Sequence, residues 1–143
     1  MDILWQGLQS GVLQTVATDH IAWTREQKQS GHMVDELLPG MSNLETLLPS
    51  LYSDGVQTGK LTRERFIEIS STNPAKLFGM YPQKGAIRPG SDADIVVFDD
   101  QKTVTVRLQD MHSNQDFEIY EGEKFNGWPS SPSAGEILLP RTA

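Results

Sequence analysis

The chain has 143 residues, the length of one ordinary domain, and its 37% hydrophobic residues are enough for a packed core. Its net charge of −7 disfavours binding to the phosphate backbone of nucleic acids, and it has no run of about 18 apolar residues to predict a membrane span. With no cysteine and no signal-peptide pattern, we expect a cytoplasmic protein without disulfides or thiolate metal sites.

The N-terminal third is predicted to hold a helix, a strand and a long loop. Residues 2–10 favour a short helix that Gly11 ends. Residues 12–18 (VLQTVAT) are largely apolar, as in a buried parallel strand. Residues 19–42 are polar and show no clear period, and loops of this length are usually functional or mobile.

Three helices are predicted next. Asn43 can cap a leucine-rich helix, and Pro49 inside it should kink the helix or shift its start. Thr62 can cap a second helix. Asn73 and the proline after it can open a third, because proline fits the first helical position, and Gly79 can end it.

A composition break over residues 83–91 separates this helical part from a β part. We therefore divide the chain into residues 1–82 and residues 83–143, and the fold class is α/β. The alternation of apolar residues predicts strands at Asp94–Asp99 and Thr103–Leu108, a pairing of Phe117–Tyr120 with Glu123–Phe125 around Gly122, and a final strand at Gly135–Leu139.

The most informative candidate site is Asp19. A short strand delivers this acid to its own C-terminal end, which is where barrels of parallel strands place their chemistry. A carboxylate there can bind a divalent metal and take a proton from a metal-bound water, although an aspartate after a strand is more often a turn former or helix cap. His20 is interpreted as a loop side chain or a support for a ligand, and His32 and His112 complete no zinc motif.

Five stretches carry a family resemblance: LWQGL with VATDH (residues 4–20), LLPSLYSDGV (47–56), STNPAKLFG (71–79), KGAI with GSDADIV (84–96), and YEG with GWP (120–129). Together they resemble the dihydropyrimidinase, hydantoinase, allantoinase and dihydroorotase group of the amidohydrolase superfamily. The third stretch, joined to the first and last, points to the dihydropyrimidinase and hydantoinase side.

The resemblance implies a (β/α)₈ barrel with a β-sandwich built from both chain ends. This chain would supply the last strand and helices of the barrel, followed by the C-terminal strands of the small β-sandwich. Asp19 would be the last-strand aspartate, both a metal ligand and the catalytic general base at a binuclear zinc site. The other ligands of such enzymes, a His-x-His pair, a carboxylated lysine and two histidines, lie on earlier strands and have no counterpart here.

We therefore expect this chain alone to bind no metal and to be inactive, as a truncated gene product or half of a split protein would be. We also expect it to form a homo-oligomer or to need its missing N-terminal portion. The implied reaction opens a small cyclic amide, a dihydropyrimidine or a hydantoin. A metal-bridging hydroxide would attack the ring carbonyl, and Asp19 would pass its proton to the leaving nitrogen.

Alternatives remain open. The parent could be an allantoinase or dihydroorotase, or a non-catalytic relative that keeps the fold as a scaffold. Many relatives place a small residue or cysteine and then a proline after the Asp-His pair, where this chain has Ile21-Ala22-Trp23. Pro39 precedes Gly40 where hydantoinase-like relatives have a substrate-binding asparagine. These departures leave the substrate undecided.

Overall fold

The computed structural model describes residues 2–130, so the final strand expected at residues 135–139 lies outside the described part. Its helices and strands, in chain order, are α1 (Asp2–Ser10), α2 (Arg25–Lys28), α3 (Leu47–Leu51), α4 (Arg63–Ile67), α5 (Asn73–Leu77), β1 (Phe98–Thr105) and β2 (Lys124–Pro129). Short 3₁₀ turns lie at Val34–Glu36 and Leu108–Asp110. Helix α1 therefore matches the predicted helix over residues 2–10.

Helices α4 and α5 form one continuous helical stretch joined by a π-helical segment, Glu68–Thr72. The predicted cap is confirmed, because Thr62 Oγ1 accepts a hydrogen bond from the backbone of Arg65 at 3.1 Å. Helix α5 begins at Asn73 as predicted, but it continues the preceding turns instead of starting from a loop. Proline at position 74 has no N–H to donate, and the wider π turns lie just before it. Gly79, at φ +69°, follows the last turn.

The prediction that Asn43 caps a helix is wrong. Helix α3 begins at Leu47, after Thr46, and Pro49 lies in its first turn. Proline has no N–H to contribute inside a helix, so it shifts the helix start instead of kinking an earlier one. Asn43 caps nothing in the described part of the chain, since its Oδ1 is buried there without a hydrogen-bond partner.

The two strands expected at residues 94–99 and 103–108 are a single strand in the structure. Strand β1 runs from Phe98 to Thr105 and pairs antiparallel with β2, with Phe98 opposite Pro129. The register shifts between Asp99 and Thr103. Residues 95–97 stay outside the sheet and are more than half exposed, because the pairing with β2 ends at Phe98.

The expected pairing of Phe117–Tyr120 with Glu123–Phe125 is also wrong. Strand β2 begins at Lys124 and pairs with β1, and residues 117–120 form no strand. The backbone of Val106 closes the connection, since its N–H donates to the Glu123 carbonyl and its carbonyl accepts from Gly122, both at 2.9 Å. The longer-range partner β1 takes up the hydrogen-bonding groups that a local hairpin would have used.

Residues 12–18 do not form a strand in the structure. They contact the helical part through a 3.4 Å hydrogen bond from Val16 N to the Ile69 carbonyl, and Val12 is 79% exposed. Just beyond them, His20 and Met41 form one isolated parallel bridge. A strand needs neighbours to pair with, and residues 2–130 supply none beside this segment.

Helices and sheet share one hydrophobic core. Its buried members are Leu8, Leu51, Tyr52, Leu61, Phe66 and Ile69. Phe98 at the start of β1 packs against this cluster, with its ring centroid 4.9 Å from that of Tyr52 and 5.7 Å from that of Phe66. Among residues 2–130, no helix is both long and apolar enough to cross a membrane.

Candidate functional site

Asp19 follows residues 14–18, which have no regular secondary structure, and lies at the point where the long loop begins. Its side chain is exposed, and none of the ion pairs between described residues includes it. Its backbone has φ +49°, and among residues 2–130 it is the one non-glycine residue with a positive φ. Aspartate tolerates this left-handed conformation better than most residues, because its short polar side chain can bond locally.

His20 fastens the beginning of the loop to its end. Its Nδ1 lies 3.2 Å from the backbone nitrogens of both Asn43 and Leu44 and accepts their hydrogen bonds. A ring nitrogen accepts a hydrogen bond through its lone pair, so these two contacts require that Nδ1 carry no proton. The backbone of Ile21 adds a bond to the Met41 carbonyl at 3.2 Å. His20 therefore supports the loop, in agreement with its interpretation as a loop side chain.

The connection between β1 and β2 holds the same loop from the other side. The Gln115 side chain, 4% exposed, accepts a hydrogen bond from Ser42 N at 2.6 Å. Asp116 Oδ1 accepts from Arg25 N at 2.7 Å, and the Arg25 guanidinium lies 5.2 Å from the centre of the Phe117 ring. Sequence reasoning missed Gln115, because a single glutamine in a polar stretch carries no pattern that reveals its burial.

Glu45 and His112 form a further contact between these two segments. Glu45 accepts from the backbone N–H of His112 at 2.7 Å, and its other carboxylate oxygen lies 2.8 Å from the ring Nδ1. Burial raises the pKa of Glu45, but the hydrogen bonds from His112 outweigh burial, and the net shift is downward. The Glu45 carboxylate in turn raises the pKa of His112. The His112 side chain is 89% exposed, so solvent weakens the pair.

An open cleft of about 510 Å³ lies away from Asp19, lined by residues 79–84 and 88–90. Lys84 on its wall pairs with Asp94 and, at 2.9 Å, with Asp92. These two carboxylates, Asp94 foremost, raise the pKa of Lys84 to about 12. A lysine held protonated in this way cannot act as a base, so Lys84 is not a candidate general base.

The described residues, 2–130, do not by themselves make a metal site. Within residues 2–130, no group of three or more His, Asp or Glu side chains could hold a metal ion. His20 Nδ1 is engaged by two backbone N–H groups, and Glu45 pairs with His112. Asp19 makes no ion pair with another described residue, and its carboxylate is available at the start of the loop.

The model of the Amidohydrolase family matches residues 1–131. The chain belongs to the amidohydrolase family. This amidohydrolase chain is 39% identical over 132 residues to a D-hydantoinase of Rhizobium radiobacter, covering 91% of the chain and 29% of that enzyme. It is 38% identical over 123 residues to a D-phenylhydantoinase of Escherichia coli, covering 85% of the chain and 27% of that enzyme.

Solved structures give the same relationship. The D-hydantoinase (dihydropyrimidinase) from Thermus sp. aligns with a TM-score of 0.86 and 40% identity over 90% of this chain and 28% of that one. The dihydropyrimidinase from Brevibacillus agri aligns with a TM-score of 0.85 and 41% identity, with the same coverage. The resemblance to hydantoinases and dihydropyrimidinases is confirmed, and the amidohydrolase chain spans less than a third of the length of these relatives.

Proposed function

We propose that this chain is the C-terminal part of a cyclic-amide hydrolase that opens hydantoin or dihydropyrimidine rings. The names of its relatives support this substrate class, and each alignment covers most of the chain. In this proposal residues 1–82 supply the last strand and helices of a (β/α)₈ barrel. Residues 83–143 supply C-terminal strands of a small β-sandwich, and the shared core around Phe98 joins the two parts.

Within that proposal, Asp19 is the catalytic base and one of the metal ligands. The observation that carries it is the positive φ of Asp19 at the start of the long loop, with its carboxylate exposed. Residues held in sparsely populated backbone conformations cluster at active sites, because the surrounding structure must compensate for their strain. The left-handed turn lets the carboxylate emerge where a long loop begins.

The chemistry that Asp19 can perform is proton transfer. Opening a cyclic amide needs a proton removed from the attacking water and a proton delivered to the ring nitrogen before the C–N bond breaks. A carboxylate within hydrogen-bond reach of both atoms can take the first proton and return it as the second. A zinc centre would need ligands in addition to Asp19, so the contribution of this chain to the reaction is the proton transfer at Asp19.

The test is a chimera in which residues 2–130 replace the matching part of the D-hydantoinase from Thermus sp., assayed for opening of hydantoin and dihydrouracil. We expect the chimera to be active. Asp19→Asn should lower this activity by about a thousandfold or more, as loss of an essential acid–base group does. Asp35→Asn, an exposed residue of the same loop, is the matched control and should keep full activity. A folded chimera in which Asp19→Asn is as active as the parent would refute the assignment.

A further inference from the structure

We propose that Gln115 is a positioning residue for the loop that begins at Asp19, and that the β1–β2 connection holds this loop in its working conformation. We define the strap as residues 112–117 of that connection. This inference rests on the proposed function, since the loop matters for catalysis only if Asp19 does. The strap lies about 95 positions after Asp19 in the sequence. It therefore belongs to the predicted β part, residues 83–143, and Asp19 to the predicted helical part, residues 1–82.

The first step is that residues 41–44 are fixed to the residues that follow Asp19. Met41 bridges to His20 and accepts from Ile21 N at 3.2 Å. The backbone N–H groups of Asn43 and Leu44 both donate to His20 Nδ1. Any movement of residues 41–44 is therefore transmitted to His20, which is covalently next to Asp19.

The second step is that Gln115 fixes the middle of this segment. Ser42 N donates to Gln115 Oε1 at 2.6 Å, and Gln115 Nε2 donates to the Phe117 carbonyl at 2.9 Å. Both Ser42 and Gln115 are about 95% buried, with 5% and 4% of their surface exposed. A buried N–H that loses its acceptor must find water or move, so the backbone of Ser42 depends on this carboxamide.

The third step is that the strap also holds the outgoing side of the loop. Asp116 accepts from the backbone N–H of Arg25, at the first residue of α2, at 2.7 Å. The Arg25 side chain lies over the Phe117 ring. Gln115 and Asp116 are adjacent in sequence, yet Gln115 binds residue 42 near the end of the loop and Asp116 binds helix α2 near its beginning. The strap thus fixes the distance between the beginning of the loop, near Arg25, and its end, near Ser42.

Asp19 and Gln115 would therefore have different roles in the reaction. Asp19 would move the proton, while Gln115 would fix where its carboxylate lies relative to the ring nitrogen. Displacement of a catalytic group by about 1 Å costs on the order of a hundredfold in rate, even when the substituted residue lies away from the chemistry. Substitution of Gln115 should therefore lower kcat more than it changes KM.

The first measurement is made on the full 143-residue chain. Gln115→Met keeps the size of the side chain and removes both hydrogen bonds, and we expect amide exchange at residues 42–44 to become about tenfold faster or more. Gln115→Glu keeps an acceptor for Ser42 N–H and should restore part of the protection. Gln101→Met, the same change at an exposed site in β1, is the matched control and should leave these amides unchanged.

A histidine spectrum distinguishes positioning from general loss of stability. In Gln115→Met, the ¹⁵N chemical shift of His20 Nδ1 should move toward that of a ring nitrogen without hydrogen bonds, while the exchange of α4 amides stays as in the native chain. Unchanged exchange at residues 42–44, or an unchanged His20 signal, would overturn the inference. Uniformly faster exchange over the whole chain would also overturn it, because Gln115 would then be only a stabilising residue.

The second measurement uses the chimera with the Thermus sp. enzyme. Gln115→Met should lower kcat by about tenfold to a hundredfold and leave KM within about twofold, with partial rescue by Gln115→Glu. Faster amide exchange at residues 42–44 with an unchanged kcat would overturn the positioning role of Gln115 and would leave Asp19 as the base. An inactive but folded parent chimera would instead refute the proposed function. The exchange and histidine data would then show by themselves whether the strap holds the loop.

Discussion

The Nδ1 atom of His20 lies 3.2 Å from the backbone nitrogen of Asn43, although the two residues are 23 positions apart. A second backbone N–H, that of Leu44, reaches the same ring atom at the same distance. One imidazole therefore closes the loop that begins at Asp19. The aspartate and the histidine of the Asp-His pair thus differ in their contacts. Asp19 is exposed to solvent, and the His20 ring accepts hydrogen bonds from two backbone N–H groups.

Removal of the His20 ring should destabilise the chain. His20→Ala leaves the N–H groups of Asn43 and Leu44 without their acceptor. The Asn43 bond is partly buried and the Leu44 bond is exposed, so water replaces part of the loss and we expect a cost of about 1 kcal/mol. Urea unfolding of the two chains measures the difference. His32→Ala, at an exposed position of the same loop, should change the free energy of unfolding by less than about 0.5 kcal/mol. Equal losses in the two variants would contradict the role given to His20.

Two glycines with the same backbone conformation should respond differently to alanine. Gly127 has φ +89°, and a Cβ there would lie 2.6 Å from ring atoms of both Phe98 and Tyr52. Gly122 has φ +84° and nothing within 4 Å of its Cβ position. Gly122→Ala should cost about 1 kcal/mol from backbone strain.

Gly127→Ala should lower the free energy of unfolding by about 1–3 kcal/mol more than Gly122→Ala does, because the added methyl group overlaps two aromatic rings of the core. Thermal unfolding of both variants against the native chain gives the comparison. Similar melting temperatures for the two variants would show that the rings can move aside, and that the sheet is not packed tightly on the helical core at this point.

Local signals in the sequence predicted the parts of the fold that local chemistry decides. The Thr62 cap needs only a hydroxyl and the N–H of Arg65, and Gly79 needs only its own freedom at positive φ. The resemblance located the family and placed Asp19 at the start of a loop. These features were correct because no distant residue is required to form them.

The features that sequence reasoning missed depend on distant partners. Strand β1 begins at Phe98, not Asp94, because pairing with β2 decides which residues of an apolar run enter the sheet. Residues 12–18 lack a pairing neighbour among residues 2–130. Gln115 contacts Ser42 across 73 residues, and no periodicity or motif indicates such a contact.

The His112–Glu45 pair should make stability depend on pH. The pKa of His112 is raised above 6.5, so its contribution is fully present below that value and is lost as pH rises through the folded-state pKa. The pKa of Glu45 is lowered below 4.5, so its contribution is present above that value and is lost as pH falls. The pair therefore stabilises the fold most between these two limits.

His112→Ala should consequently lower the free energy of unfolding more at about pH 5.5 than at about pH 8.5. The effect will be small, because the histidine is largely exposed and the backbone bond from residue 112 to Glu45 survives the substitution. Urea unfolding at the two pH values measures it, with His32→Ala as the control. A difference that grows toward high pH would have the wrong sign for this pairing.

The 143-residue chain alone should not hydrolyse hydantoin or dihydrouracil, with or without added zinc. A binuclear site needs several protein ligands, and Asp19 is a single carboxylate. The measurement is an assay of ring opening with the purified chain, combined with metal analysis after dialysis. Turnover that Asp19→Asn abolishes would contradict the expectation and would mean that the chain, or its assembly with further copies, completes a site.

The chain should also associate with itself at micromolar concentration. Residues Ile3, Leu4 and Val12 are 81%, 60% and 79% exposed, and Leu77 and Phe78 are 70% and 73% exposed. Each exposed large aliphatic side chain forgoes about 1.5–3 kcal/mol of burial, which is large against a total stability of about 5–15 kcal/mol. Residues 12–18 belong to no sheet in the described part of the chain, and those of their backbone groups that have no partner add to this surface and favour pairing with another chain.

Sedimentation velocity over a range of concentrations tests this association. Leu4→Lys should shift the distribution toward monomer, because a charge on α1 prevents its apolar face from being buried against a second molecule. Gln9→Lys adds the same charge at an exposed polar position of the same helix and should leave the distribution unchanged. A monodisperse, cooperatively melting monomer in the native chain would refute the prediction, because the exposed apolar side chains would then be compatible with a stable single molecule.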